Sequence, residues 1–462
     1  MEAAIDTNKP QQPRKKGHPP GLYFLFLTEA WERFSYYGMR AILVLYLTTA
    51  FVSGGLGFNE SFAVQIYGLF TMFVYFTPIL GGYLTDKYIP RRIAITIGGV
   101  IMALGNFTLF AWDNRTGFWI GLALLIIGNG FFKPNISTLV GDLYKENDPR
   151  RDSAFTIFYM GINTGALFAP LVVGFLAETY FKTTVNGVDH FGFKYGFLAS
   201  CIGMILGQVI FNIFAPKYLG DIGTKVVNKP VNKTTAATGA KAPLTKKEKQ
   251  RTLAIIILTC FVVFFWAGFE QAGSSLTLYT NKFIDRTIFG WEIPTAWFQS
   301  VNPLFIILFA PVVSAIWMKL SRSKRGDLKI PTKMGLGMIL LGLGFLVLLP
   351  AIMQTGSDEA HIVKQANLLF IIVTYMLHTF GELFLSPVGL SMVSSYAPVR
   401  YVSLLMGVWL AGSGFANLLA GILASFTESL GYLEVFTSIG CVTAVLGIVL
   451  LLLSKKISKM MD

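Results

Sequence analysis

Residues 29–40, read as EAWERFSYYGMR, set two carboxylates and two guanidiniums inside an apolar run, 22–49. A bilayer span needs roughly 20 apolar residues, so this run is long enough to cross a membrane. An ionisable side chain at that depth costs about 2.5–3.5 kcal/mol on insertion scales, and each one is a candidate for function. On a helix, Glu29, Arg33, Tyr36 and Arg40 fall on one face, with Glu32 beside it. Such a cluster is either an internally paired brace or a polar stripe along a water-filled path whose carboxylates can take a proton. Four charges and two tyrosines in one span favour the second.

The other deep ionisable residues are Lys133, Glu270 and Glu382, giving three cations (Arg33, Arg40, Lys133) against four carboxylates (Glu29, Glu32, Glu270, Glu382). If every cation is paired, one carboxylate is left over. Burying it ionised is costly, so it is expected to hold a proton when enclosed. Arg40 and Glu270 lie equally far into spans 1 and 7, which enter from the same side; Lys133 and Glu382 lie equally far into spans 4 and 10, which enter from the other. These two pairs are gates if they form only when two halves of the chain approach, and static braces otherwise. Tyr67, Tyr75, Tyr159, Asn163, Asn302, His378 and Ser386 are further candidates for a polar lining, and Trp266 and Trp409 for aromatic walls. His378 stands one turn before Glu382, where it either shares protons with it or is a hydrogen-bonded structural histidine.

The elements that must carry these residues are membrane helices. Of the 462 residues, 53% are hydrophobic and 14% charged, and the mean hydropathy is +0.59; a soluble chain carries roughly 25% charged residues. Twelve apolar spans are expected, near 22–49, 62–84, 93–112, 117–140, 153–177, 195–215, 252–281, 296–318, 334–353, 366–393, 401–424 and 435–453. Twenty-nine of the 38 Lys and Arg residues fall in the tails and alternate loops and six in the opposite loops, which predicts both termini in the cytoplasm. The chain then divides into a tail (1–21), a six-span bundle (22–215), a polar cytoplasmic linker (216–251), a second six-span bundle (252–453) and a tail (454–462). GNGFFKP, 128–134, matches GELFLSP, 381–387, across the linker, as expected of two bundles around a central site.

Several chemistries find no support. The net charge of +13 is spread through short loops and is no nucleic-acid footprint. Cys201, Cys260 and Cys441 all fall inside spans and imply neither a disulfide framework nor a metal site. The first 21 residues lack the apolar stretch of a cleaved signal peptide. No Walker loop occurs, so ATP is not the expected drive, and no nucleophile-elbow, zinc or haem pattern points to an enzyme.

The loop GGYLTDKYIPRR, 81–92, resembles the Gly-x-x-x-Asp-x-x-x-x-Arg-Arg loop of the major facilitator superfamily. Glu29-x-x-Glu32-Arg33-Phe34-Ser35-Tyr36-Tyr37-Gly38, Phe158-Tyr159-Met160-Gly161-Ile162-Asn163-x-Gly165 and Gly381-Glu382-Leu383-x-Leu385-Ser386-Pro387 together resemble the proton-dependent oligopeptide transporter family of that superfamily. The resemblance implies an all-α major facilitator fold, twelve helices in two six-helix bundles, in a multi-pass protein of the cell membrane. It implies symport of di- and tripeptides with protons by alternating access, driven by the proton gradient with no cofactor, by a chain expected to act as a monomer. Arg40 and Lys133 would hold the peptide carboxylate and Glu382 its amino group. Tyr37, Tyr67, Asn163 and Asn302 would contact the peptide backbone, and Trp266 and Trp409 would shape side-chain pockets. Glu29, Glu32 and Arg33 would couple protons, together with Glu270 opposite Arg40. The residue types agree, since cations and an anion on opposite bundles suit a short zwitterion. Many bacterial members carry two extra helices between the halves, and 216–251 is too short and polar to hold them. The alternative is proton-coupled transport of another small anion such as nitrate, which would need no carboxylate for an amine. A membrane sensor would call for signalling domains or long tails, which the sequence does not show.

Overall fold

The computed structural model describes residues 17–145, 148, 150–226, 244–323, 326–356, 362, 364–398 and 401–461. Residues 1–16 of the expected tail and 227–243 of the expected linker lie outside the described residues. The chain forms α1 (Pro20–Thr48), α2 (Glu60–Lys87), α3 (Arg91–Ala111), α4 (Arg115–Asp142), α5 (Arg151–Phe175) and α6 (Phe193–Leu219). After the linker come α7a (Lys246–Phe269), α7b (Ser275–Phe283), α8 (Val301–Ser321), α9 (Ile330–Thr355), α10 (Leu369–Tyr396), α11 (Val402–Ser425) and α12 (Tyr432–Met461). Helices are the answer because hydrocarbon offers backbone groups no partner outside their own segment. Among the described residues, 11 of these helices are long and apolar enough to cross a membrane, α7a and α7b counting as one. The remaining one, α1, has the length but also Glu29, Glu32, Arg33 and Arg40.

Local signals start the helices. Pro20 opens α1, where its missing N–H costs nothing. Asn59 accepts from the Phe62 N–H at 2.8 Å and Asn114 from the Gly117 N–H at 2.9 Å. Thr245 and Glu248 form a reciprocal capping box at the start of α7a. That cap explains why α7a begins at Lys246, ahead of the expected 252. Likewise α6 and α12 run past the expected 215 and 453, to Leu219 and Met461: a helix need not stop where its apolar residues do. Span 10 starts later than expected, at Leu369, because Ala366–Asn367 pairs as a short parallel strand with Ile284–Asp285.

One apolar core is built from α1–α6, with Leu278, Ala296 and Ala424 added from the later helices. A second is built from α7a, α7b and α9–α12, and Ile306 and Val313 of α8 pack with Leu383 of α10 in a small third cluster. Between them α2 and α11 cross where two glycines meet: a Cβ on Gly68 would lie 2.8 Å from the Gly421 Cα. Every hydrogen bond that crosses between the two helix sets among the described residues lies toward the end away from the termini, here the far end. Ser300 Oγ donates to Leu167 O at 2.7 Å, Trp297 Nε1 to Leu171 O at 2.9 Å, and the Ser61 N–H to Glu428 at 2.7 Å. Lys282 and Tyr432 both donate to Glu60.

Candidate functional site

On α1 the expected cluster is assembled, with a different charge balance from the one-to-one pairing considered above. Arg33 donates to Glu32 through both Nε and Nη2, the latter at 2.7 Å, and its Nε lies 3.2 Å from Glu29 Oε1. Glu29 Oε2 is buried with no hydrogen-bond partner. One guanidinium thus serves two carboxylates, and the trio carries one negative charge when fully ionised. The i,i+4 spacing brings Glu29 to Arg33, and the Arg33 guanidinium also lies 5.4 Å from the Tyr36 ring centre.

Arg40, two turns on, reaches across to the second helix set. It donates to Glu270 and to the Tyr67 hydroxyl, and sits over the Tyr37 and Tyr67 rings at 5.8 and 5.4 Å. Glu270 comes into reach because span 7 is not the continuous helix expected over 252–281. It tightens into a 3-10 turn at Glu270–Gly273, and Ser274 leaves helical geometry at φ −129°, ψ −104°. Gly273 is pressed on Tyr67: a Cβ there would stand 1.7 Å from the tyrosine hydroxyl oxygen. No side chain larger than hydrogen fits this closed arrangement.

The other expected pair is apart. Lys133, on α4, makes no ion pair among the described residues; its ammonium stands 4.4 Å from the Tyr75 ring centre. Glu382, on α10 and only 8% exposed, accepts from Asn302 Nδ2 at 3.0 Å, and the same amide donates to Thr379 Oγ1 at 3.0 Å. Its neighbour is therefore neutral. Arg33 takes two carboxylates and Lys133 none, so one cation and one carboxylate remain without a counter-ion, on different helix sets.

Tyr159 is 45% exposed and accepts Asn163 Nδ2 at its carbonyl, 3.1 Å away. Ser386 is half-buried one turn past Glu382. Trp266 is half-buried and edge-on to Phe265 and Phe269, 5.4 and 5.1 Å between centres. Trp409 is buried in the second core, hard against Gly389. His378 packs on the Phe345 ring at 4.7 Å and makes no hydrogen bond to Glu382. Among the described residues no group of three or more His, Cys, Asp or Glu is placed to hold a metal ion.

Sequence reading missed the far-end contacts of Glu60, Lys282, Glu428 and Glu178. Both oxygens of Glu178, on a π turn (Leu176–Tyr180) that continues α5, accept backbone N–H groups of Thr295 and Ala296 at 2.7 and 2.9 Å. Each of these residues reads as an ordinary polar group at a span end. Only the approach of the two helix sets gives it a partner.

The POT family sequence model matches residues 92–242 and 222–437. An uncharacterised transporter of Bacillus subtilis is 36% identical over 489 aligned residues, covering 96% of this chain and 95% of its own. The peptide transporter YePEPT of Yersinia enterocolitica is 34% identical, covering 92% and 91%. A crystal structure of a mutant of the peptide transporter POT in complex with alafosfalin superposes with a TM-score of 0.85 at 35% identity, covering 97% of each chain. The protein is a multi-pass membrane transporter, not an enzyme, and it belongs to the POT family.

Proposed function

We propose that the protein is a proton-coupled symporter that imports di- and tripeptides by alternating access. The observation that carries this reading is the unmatched charge: a lysine on one bundle and a carboxylate on the other, each without a counter-ion. A peptide is a zwitterion and supplies both missing partners at once. Lys133, with Arg40, holds the peptide carboxylate and Glu382 the amino group. Tyr37, Tyr67, Tyr159, Asn163, Asn302 and Ser386 contact the backbone, and Trp266 and Trp409 bound the side chains. A small anion such as nitrate would satisfy Lys133 and leave Glu382 unmatched. The names of relatives in Yersinia enterocolitica and Lactococcus lactis, a peptide transporter and a di-/tripeptide transporter, support the same substrate class.

In this reading the moving units are 22–215 and 252–453, joined by the cytoplasmic linker 216–251. Both termini are cytoplasmic, so the far end is the outside, and the described state is shut outward with Lys133 and Glu382 parted inward. Glu29, Glu32 and Arg33 carry the proton, and Glu270 releases Arg40 when the outer end opens. The proton gradient is the energy source, without a cofactor, and the monomer is the transporting unit. Uptake of a labelled dipeptide into liposomes, with and without an inward proton gradient, tests it. Accumulation that requires the gradient supports the proposal, and accumulation of nitrate but not dipeptide overturns it.

A further inference from the structure

We infer that the groove between α3 and α6, on the membrane face of the first bundle, seats one anionic phospholipid of the inner leaflet, its acyl chain in the groove and its headgroup at Lys217 and Arg92. The choice of leaflet rests on the orientation proposed above; the site does not depend on the substrate. The groove encloses about 570 Å³. Its walls are Val100, Leu104 and Phe107 of α3 and Ile205, Val209 and Ile213 of α6, all half-exposed. Its floor is where the two helices touch through small residues. Cys201 Sγ donates to Ala103 O at 3.3 Å, and a Cβ on Gly99 would lie 2.0 Å from Gln208 Nε2. Small side chains along the contact and large ones beside it leave a furrow that runs with the helices.

Any apolar membrane face meets hydrocarbon; the groups at one end of this groove ask for more. The 27 residues of α6 span about 40 Å, the thickness of a bilayer with its headgroups. Lys217 and Arg92 lie within about 3 Å of their helix ends, among the headgroups. Thr96 and Asn212 lie roughly 7–10 Å in, where headgroups give way to hydrocarbon. Thr96 Oγ1 donates to Asn212 Oδ1 at 2.8 Å, and Asn212 Nδ2 to Gln208 O at 2.9 Å. The Asn212 amide is still exposed on the membrane side, at a depth that suits lipid esters and not bare chains. Lys217 follows Ile205, Val209 and Ile213 at four-residue steps and so continues the groove wall. It has no ion pair among the described residues, and its ammonium lies 5.5 Å from the Tyr218 ring centre. Arg92, one turn before Thr96, is fixed at the same end by an Nη2 bond to Gly220 O at 2.6 Å. Arg91 is turned away, to Asp86 of α2 and Asp142 of α4. Asp221, exposed just after α6, offsets one charge, and Lys225 follows it. Both helices belong to the first bundle, so in the cycle proposed above the lipid moves with that bundle. It braces α3 against α6 and is no part of either gate.

The test is photo-crosslinking of the full chain in liposomes of equal parts phosphatidylglycerol and phosphatidylcholine. Benzoylphenylalanine is put in place of Ile213, and the lipid adducts are counted by mass spectrometry. Phosphatidylglycerol adducts should outnumber phosphatidylcholine adducts by about tenfold, as two basic groups at an anionic headgroup predict. Lys217→Gln should cut that ratio by about fivefold, the share of one basic group, and Lys217→Arg should keep it. Val209→Trp fills the groove and leaves every charge in place. The ratio should then fall toward one, because a chain that cannot seat does not hold its headgroup at Lys217. Leu104→Trp fills the groove from the opposite wall and should do the same. Lys319→Gln, at the end of α8 in the other bundle, should leave the ratio unchanged. A ratio near one in the parent, or a preference untouched by either Lys217→Gln or the groove-filling variants, overturns the seat. Failure of dipeptide uptake with the lipid preference intact would instead overturn the proposed substrate.

Discussion

Arg40–Glu270 and Lys133–Glu382 are built from the same sequence logic, a cation in the first bundle facing a carboxylate at equal depth in the second, yet only the first pair is closed. The difference lies in the backbone around each. The far-end pair sits where span 7 breaks, Gly273 lets Tyr67 in, and neighbouring hydrogen bonds hold the bundles together. The other pair has no such scaffold, so Lys133 settles on a tyrosine ring and Glu382 on a neutral amide. A buried pair that is always made adds little net stability, because desolvation consumes most of the attraction. A pair made in one state and parted in another instead weights the two states, and the parted one leaves binding groups exposed to a ligand.

Four substitutions test that contrast, from the largest expected effect down. Lys133→Ala removes a cation without a counter-ion among the described residues and leaves Arg40 alone to hold the peptide carboxylate. Gradient-driven uptake and peptide exchange should both fall by about 100-fold or more in liposomes; retention of either makes Lys133 a brace. Glu32→Gln removes one acid from the trio around Arg33 and leaves the binding groups intact. Accumulation against a gradient should disappear while exchange persists, and a variant that still concentrates peptide moves the coupling site to Glu270. Arg40→Lys keeps the charge and loses the fork that serves Glu270 and Tyr67 together. Peptide binding should weaken by about tenfold, measured by tryptophan fluorescence, and unchanged affinity makes Arg40 a purely structural cation. Lys282→Ala deletes a partly exposed rim contact with Glu60. Such pairs contribute under about 1 kcal/mol, so uptake should change by less than about fivefold; a larger loss would make the rim, and not Arg40–Glu270, the main outer closure.

The hydrophobic runs, the charge bias of the loops and the depth of each intramembrane charge are all local quantities, so the helices and the α1 cluster could be read directly. The Glu29–Arg33 contact follows from helical spacing alone, and equal depth was enough to match Arg40 with Glu270. What could not be read depends on how two bundles meet. The break after Glu270 contains no proline, and its Gly273 lies against Tyr67 of the other bundle. Which of two equivalent pairs is closed is set by how the two bundles meet and not by the depth of either residue. Glu178 became visible only through Thr295 and Ala296, more than a hundred positions away.

The crossing of α2 and α11 at Gly68 and Gly421 bears on speed. Interlocked side chains at a helix crossing must climb out of their grooves before the helices can turn past one another. Here two backbones touch at Gly68 and Gly421, while two turns further along Phe76 of α2 meets Phe415 of α11 edge-on. In the alternating-access cycle proposed above, turning at the bare glycine contact would disturb the least packing, and the barrier between the two orientations would fall more heavily on the charged contacts at either end, where substrate and protons would act on it.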